Sequence, residues 1–269
     1  MAQDAVVGII GGQGWMGRSL GLALLEQGIL SAEQLVISSR SERNTAFSAW
    51  SGVLCTNDNQ ALAEMSDVIV LSVRPEDLAN IEVDSDGKLV VSLLAMTSVE
   101  DVAQRLGSRR VVRAMPNAAA EIRCAYFPWY AAPGVTEADK RLVDALLESC
   151  GKSRELPAER DLDYLTALSG AGPAYPALLA QSMLEHARHS GIDDDIALEA
   201  VMQTLVGGCQ LLERKGANPK AMVERLITYD GTTAKGLRAM IDGGFHPIIH
   251  AGLTAAHDAA HGSEPEYGH

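Results

Sequence analysis

The sequence predicts an α/β fold, a doubly wound sheet of Rossmann type at the N-terminus followed by an all-helical domain, and three observations carry that expectation. The stretch Val6 to Gly17, V-V-G-I-I-G-G-Q-G-W-M-G, is a short β-branched run that breaks into glycines and continues as a helix with Leu20, Ala23 and Leu24 on one face. Apolar runs of strand length then alternate with helical segments, the pattern of a parallel sheet covered on both faces. From Asp161 onward only helical periodicity remains, punctuated by glycine and proline. The expected domains are therefore 1–157 and 158–261, with a disordered tail at 262–269.

Composition bounds the functions open to such a chain. Its 269 residues suffice for two modest domains, each with a core. The net charge of −13 argues against nucleic acid or an anionic membrane surface as partner, since both demand a basic face. No apolar run has the length of a bilayer span, and Met1 to Asp4 lead straight into the first strand, so a cytoplasmic protein is expected. Cys55, Cys124, Cys150 and Cys209 are widely spread and form no C-x-x-C pair, which fits buried reduced thiols better than disulfides or zinc.

The glycines Gly12, Gly14 and Gly17 are spaced G-x-G-x-x-G. In a strand–turn–helix unit the first permits the tight turn, the second lets a pyrophosphate approach the backbone, and the third lets the helix lie close on the strand. The helix N-terminus then faces the phosphates with unpaired N–H groups. Gln13, Trp15 and Met16 complete this candidate dinucleotide loop. The second strand, Leu35-Val36-Ile37, ends in Ser38-Ser39-Arg40-Ser41-Glu42-Arg43. An NAD enzyme usually carries an acid there to accept from the ribose hydroxyls. Ser38, Ser39, Arg40 and Arg43 instead suit a 2′-phosphate, so NADP(H) is expected rather than NAD.

Further along, a helix is expected over Asn44 to Trp50, a strand over Val53 to Cys55 and a helix or turn over Asn57 to Met65. Val68 to Val73 reads as a central strand ending at Arg74-Pro75, Leu89 to Leu94 as the next, and Ser98 to Leu106 as a helix. Val111 to Ala114 is a strand closed by Met115-Pro116-Asn117. Strands over Cys124 to Ala131 and Ser153 to Leu156 flank a helix at Glu137 to Glu148. Ligands in open α/β sheets collect beyond the carboxyl ends of the strands. The glycine loop, Val73-Arg74-Pro75, and Met115 with Asn117 therefore share one crevice, the nicotinamide end nearest Met115 to Asn117.

The helical half divides into Asp161–Leu168, Pro173–Ser190, Asp194–Lys215, Pro219–Thr228, Thr232–Ile241 and Pro247–Ala260. Pro173 and Pro219 sit at first-turn positions, and Gly191 and Gly216 are C-terminal caps. Leu178, Leu184, Ile196, Leu198, Val201, Met202 and Val206 are many apolar positions for so few helices, so a second copy is expected to cover part of this domain. Two histidine pairs, His246/His250 and His257/His261, have helical i, i+4 spacing, but only Asp258 adds a carboxylate and no metal site is expected.

Three stretches together resemble the pyrroline-5-carboxylate reductase family: the glycine loop, Arg113-Ala114-Met115-Pro116-Asn117, and Thr166 to Tyr175, T-A-L-S-G-A-G-P-A-Y. Gly231-Thr232-Thr233 with Gly236-Leu237 is similar to the family's C-terminal signature. The resemblance implies NAD(P)H-dependent reduction of a cyclic imine to proline, hence a role in proline biosynthesis, with a helical domain that forms a homodimer or larger assembly. It places the Thr233 hydroxyl against the ring nitrogen as the catalytic group. Where the family usually reads Ser-Pro-Gly-Gly-Thr-Thr, this chain has Thr228-Tyr229-Asp230 before Gly231-Thr232-Thr233; Val-Lys-Pro is Val73-Arg74-Pro75, and a usual glycine is Met96.

Thr232 and Thr233 open a helix whose N–H groups can hold a substrate carboxylate, with Gly231 before them and Asp230 a good N-cap for the same turn. Ser169, Gly172 and Asn117 are the remaining candidate substrate-binding residues, the first two in a small-residue turn suited to close approach. The expected reaction is reduction of 1-pyrroline-5-carboxylate. A different cyclic imine, or NADPH binding without turnover, are the alternatives that the Tyr229-Asp230 departure raises.

Overall fold

The central strands of the sheet are short apolar runs whose alternate residues serve opposite faces, and this decides where the core lies. Val7 and Ile9, Val68 and Val70, Leu89 and Val91 pack on one face, while Ile10, Ile69, Leu71 and Val90 pack on the other. The computed structural model describes residues 5–40, 46–214 and 216–261. In chain order the elements are β1 Val7–Ile10, α1 Trp15–Glu26, β2 Leu35–Ser38, β3 Leu54–Thr56, α2 Asn59–Met65, β4 Val68–Leu71, β5 Leu89–Ser92, α3 Val99–Leu106, β6 Arg110–Ala114, β7 Ala125–Ala131, α4 Glu137–Glu148, β8 Gly151–Glu155 and α5 Asp161–Leu165. The sheet order is β3-β2-β1-β4-β5-β6-β7-β8.

The sheet is mixed, which corrects the all-parallel expectation. β7 runs antiparallel to β6, with Ala114 opposite Trp129, and β8 returns parallel to β7. The reason is the connection: between β6 and β7 there is only a 3₁₀ turn, Ala118–Ile122, too short for the crossover a parallel pair requires. α4 supplies that crossover between β7 and β8.

Two further expectations change. Residues 46–49 form turns rather than a helix, with Phe47 fully buried under α1. Of the four cysteines only Cys150 is buried; Cys55, Cys124 and Cys209 are exposed. The expected disordered tail at 262–269 lies outside the described residues, as does Arg43.

The chain separates into two compact units, the first comprising residues up to 171 together with those from 256 onward, the second Gly172–Ala255. The division by compactness thus falls at 171/172, where the sequence places it after Pro157. Within the first unit α5 is tied to the sheet through the buried Arg113 of β6, whose guanidinium bonds Asp163 at 3.0 Å and Glu159 at 3.3 Å. α5 runs into a π-helical stretch, Thr166–Gly170.

The second unit holds α6 Ala174–His189, α7 Asp194–Glu213, α8 Pro219–Thr228, α9 Thr232–Asp242 and the greater part of α10 Phe245–Ala260. Its buried apolar side chains, among the described residues, are Ala197, Val201 and Ala234. Leu178, Ile196, Leu198, Met202, Val206 and Ile248 stand exposed on its helices. So large an apolar face on five helices is not a finished core.

Candidate functional site

At the carboxyl end of β1 the chain turns through Gly11, not Gly12. Gly11 has φ +80, and a Cβ there would lie 2.3 Å from the Ser72 carbonyl oxygen, so both the backbone angle and the neighbour demand glycine. The N–H groups of Gly11 and Gly12 donate to the Ser38 carbonyl at 3.0 and 3.1 Å, binding the loop to the end of β2. Gly17 is the close-approach position: a Cβ would meet Gly11 O and Gly12 Cα, both at 2.8 Å. α1 begins at Gly14 with no side-chain cap. Its first-turn N–H groups have no partner within the helix and are open to an anion.

Above this loop lies a cleft of about 950 Å³ lined by Gln13, Gly14, Trp15, Met16, Ser38, Ser39, Arg40, Val73 and Arg74, all expected from the sequence. Gly12 and Gly17 lie beneath it as supports. Pro75 opens the 3₁₀ turn Pro75–Asn80 beside it. The sequence misses Asn57, Asn59, Ser72 and Asp77, which also line the cleft. The signal for two of them is local: Asn57 and Asn59 flank Asp58, the N-cap of α2, in the turn after β3.

Polar partners sort the candidates further. The Ser38 hydroxyl is buried and donates to Asn59 Oδ1 at 2.7 Å, so it holds the cleft wall together. Arg40 and Arg74 bring positive charge to the cleft. Arg74 is widely exposed and only 3.7 Å from Glu76. The Trp15 indole N–H donates to Glu121 Oε2 at 3.0 Å, linking the glycine loop to the 3₁₀ turn after β6. The open helix end, the close-packed glycine backbone and the nearby guanidinium groups fit a dinucleotide with its phosphates on α1.

Met115 and Asn117 do not line that cleft. Met115 is buried, with Gly170 against it, close enough that a Cβ on Gly170 would lie 3.3 Å from Met115 Cγ. Asn117 Nδ2 donates to the Ser169 carbonyl at 2.8 Å, and its Oδ1 accepts from the Ala119 N–H at 3.0 Å. The Ser169 hydroxyl donates back along its helix to the Leu165 carbonyl at 2.7 Å. Both residues therefore hold the end of β6 against the π-helical stretch through internal hydrogen bonds.

In the second unit α9 starts differently from its neighbours. Side chains cap α7 and α8 through Asp193 and Asn218, but α9 starts at Gly231 with none. Asp230 is thus not the N-cap the sequence leads one to expect. It takes a left-handed conformation, φ +55, and its carboxylate accepts from Arg238 Nη1 at 2.5 Å. Thr232 and Thr233 are exposed on the first turn of α9, whose N–H groups remain available to an anion. Gly172 opens this unit, half-buried ahead of α6.

Two family models match the chain: residues 6–96 fit "NADP oxidoreductase coenzyme F420-dependent", and residues 159–262 fit "Pyrroline-5-carboxylate reductase dimerisation". Over 246 residues, 88% of each chain, it is 31% identical to pyrroline-5-carboxylate reductase 2 of Bacillus subtilis. The chain belongs to the pyrroline-5-carboxylate reductase family. The Schizosaccharomyces pombe pyrroline-5-carboxylate reductase is 32% identical over 78% of this chain and 76% of its own. Among solved structures, a pyrroline-5-carboxylate reductase from Coxiella burnetii superposes with TM-score 0.87 at 25% identity, covering 97% of this chain and 98% of that one. The Rossmann-type first unit and the helical second unit are the architecture of this reductase family. Met96 and Asp230 both take left-handed conformations, φ +54 and +55, that glycine adopts without strain.

Proposed function

We propose that this protein is an NADPH-dependent oxidoreductase acting on a CH–NH bond, reducing 1-pyrroline-5-carboxylate to proline as a step of proline biosynthesis. The observation that carries this reading is the pair of open, glycine-started helices in a member of this family. The N-terminus of α1 offers its N–H groups to a diphosphate, and that of α9 offers its own to a carboxylate.

Bound NADPH supplies the hydride for the imine carbon. Gly14 and the first turn of α1 hold the diphosphate, with Gln13, Trp15 and Met16 along the same loop. Arg40, with Ser39 beside it and Arg43 from outside the described residues, holds the 2′-phosphate, which disfavours NAD. Val73, Arg74 and Pro75 flank the cofactor, while Met115 and Asn117 act from outside the cleft by holding the end of β6 in place. The N–H groups of Thr232 and Thr233, after Gly231, orient the substrate carboxylate. The Thr233 hydroxyl donates to, or places a water on, the ring nitrogen that gains the proton. Ser169 and Gly172 keep the backbone compact near the substrate. An iminium carbon is already electrophilic, so orientation and a proton source are what these residues need to add.

The exposed apolar face of the second unit supports a homodimer, in which a second copy covers Leu178, Ile196 and Leu198. The net charge of −13 and a chain whose described helices include none long and apolar enough to cross a membrane support a cytoplasmic protein that binds no nucleic acid. The test is oxidation of NADPH with 1-pyrroline-5-carboxylate, proline being identified as product. Turnover with that substrate is expected, with NADH a poorer donor. Turnover only with another cyclic imine, or tight NADPH binding with no turnover at all, would refute the reading.

A further inference from the structure

A carboxylate one residue before an anion-binding helix start works against the helix. The N-terminus of a helix carries the equivalent of about half a positive charge, and a full negative charge beside it cancels that attraction. Asp230 sits there, immediately before Gly231. Its left-handed backbone, φ +55, is one that Asp tolerates better than most residues, so the turn keeps its shape.

The charge is dealt with by Arg238. This residue stands on α9, and its Nη1 bonds Asp230 Oδ1 at 2.5 Å while Nη2 donates to the Ile227 carbonyl at 3.3 Å, in the last turn of α8. One guanidinium therefore bridges the end of α8 and the start of α9. The pairing draws the Asp230 carboxylate away from the first-turn N–H groups, none of which it caps, and leaves the pair neutral.

We infer that Arg238 is a specificity-determining positioning residue, which by neutralising Asp230 and clamping the 229–231 turn keeps the N-terminus of α9 selective for a substrate that bears a carboxylate. The inference rests on the substrate-carboxylate role proposed above for α9. Both partners are partly exposed, Arg238 by 47% and Asp230 by 68%, so solvent moderates the effect.

The test compares 1-pyrroline-5-carboxylate with the carboxylate-free ring, 1-pyrroline, in the wild type, Arg238→Met, Arg238→Lys and the Asp230→Gly/Arg238→Met double variant. Loss of the arginine alone exposes an unpaired Asp230 charge; the expected result is a rise of about fivefold in KM for the carboxylated imine, with kcat within about twofold and no change in KM for the carboxylate-free ring. Arg238→Lys retains the charge and recovers most of the loss. Removing Asp230 as well returns the KM to within about twofold of the wild type, because no charge is left to neutralise. An equal rise for both imines, or a double variant no better than Arg238→Met, overturns the inference and leaves the pair a structural clamp. A wild type that turns over no 1-pyrroline-5-carboxylate refutes the functional reading instead. Equilibrium binding of L-proline against pyrrolidine to the same variants then decides the inference, selective loss of proline binding in Arg238→Met supporting it and parallel loss of both ligands overturning it.

Discussion

Asn117 Nδ2 donates to the carbonyl of Ser169 at 2.8 Å, across an interval of 52 residues, and so one amide side chain fixes the end of β6 to the π-helical stretch after α5. Its Oδ1 simultaneously caps the 3₁₀ turn at Ala119. Asn117→Ala removes both bonds and leaves a half-buried carbonyl and N–H unpaired, with an expected loss of about 1–2 kcal/mol in urea unfolding. Asn117→Asp retains the cap but turns a carboxylate oxygen toward the Ser169 carbonyl. Its loss should exceed that of the alanine variant, and a loss well below the alanine variant's would show that the cap, not the bond to Ser169, carries most of the effect.

Arg113 makes a stronger claim on stability. Its guanidinium is nearly fully buried between Asp163 and Glu159, and Nε has no partner among the described residues. Removing the cation takes the guanidinium from both carboxylates, leaving Asp163 with His261 at 3.1 Å and Glu159 with the Val99 N–H at 2.8 Å, so Arg113→Ala is expected to cost about 3 kcal/mol. Converting all three to Arg113→Met, Asp163→Leu and Glu159→Gln removes the charges together, and the triple variant is expected to be more stable than Arg113→Ala. Chemical denaturation of the two variants decides the point.

Much of the first unit is legible because buried parallel strands are continuous apolar runs and their helices carry clear starts; α4, with Thr136 as cap, begins and ends where periodicity places it. Strand direction is not legible. β7, Pro128 apart, is as apolar and aromatic as other interior strands, and the short link at 118–122 is what makes it antiparallel. At the glycine loop the spacing identifies the right unit but assigns the turn to Gly12, because sequence cannot tell which of two adjacent glycines takes positive φ. Asp230 misleads for a related reason. Aspartate is favoured both as an N-cap and in the left-handed region, and its partner Arg238, eight residues on, belongs to no helical spacing rule.

The ion pair between Arg110 and Asp139 gives the protein an acid-sensitive component. Burial pushes the Asp139 carboxyl up, but the Arg110 guanidinium and the Thr136 N–H and hydroxyl outweigh it and leave the carboxyl below the usual carboxylate range. Ser98, through hydroxyl and N–H, lowers Asp101 in the same direction. A depressed folded-state value means stabilisation that is complete above the unfolded carboxylate value of about 3.9 and is lost as pH falls through the folded one. Asp139→Asn should therefore cost about 2 kcal/mol at neutral pH, and the gap to the wild type should close below about pH 4. Thermal unfolding of both across that range reads it directly; a gap that stays constant into acid would rule the pair out as its source.

Met96 stands in a left-handed turn, φ +54, with its side chain exposed. That backbone costs a non-glycine residue about 1 kcal/mol, and no contact of a buried side chain is lost on truncation. Met96→Gly should raise the thermal midpoint by roughly 2–4 °C, part of the gain being offset by the greater freedom of glycine in the unfolded chain. A fall in the midpoint would mean that the Met96 side chain supports the turn it strains.

Arg40 carries the sharpest prediction about the cofactor. It lines the cleft just past β2, where a carboxylate would otherwise meet the ribose hydroxyls, and a guanidinium there gains only if a phosphate is present. Its interaction with NADPH is charge-assisted and partly solvated, so Arg40→Ala should raise the KM for NADPH about tenfold and leave that for NADH nearly unchanged. Arg40→Asp goes further, because a carboxylate repels the 2′-phosphate and accepts from the 2′-hydroxyl; the preference should then invert toward NADH. The two variants separate charge from shape. If Arg40→Ala weakened both cofactors alike, the arginine would be acting on the adenosine or on the loop itself, and the 2′-phosphate would have to be held elsewhere along the end of β2. Raising the ionic strength provides the internal control: the NADPH advantage of the wild type should shrink with salt, and that of Arg40→Ala should hardly move.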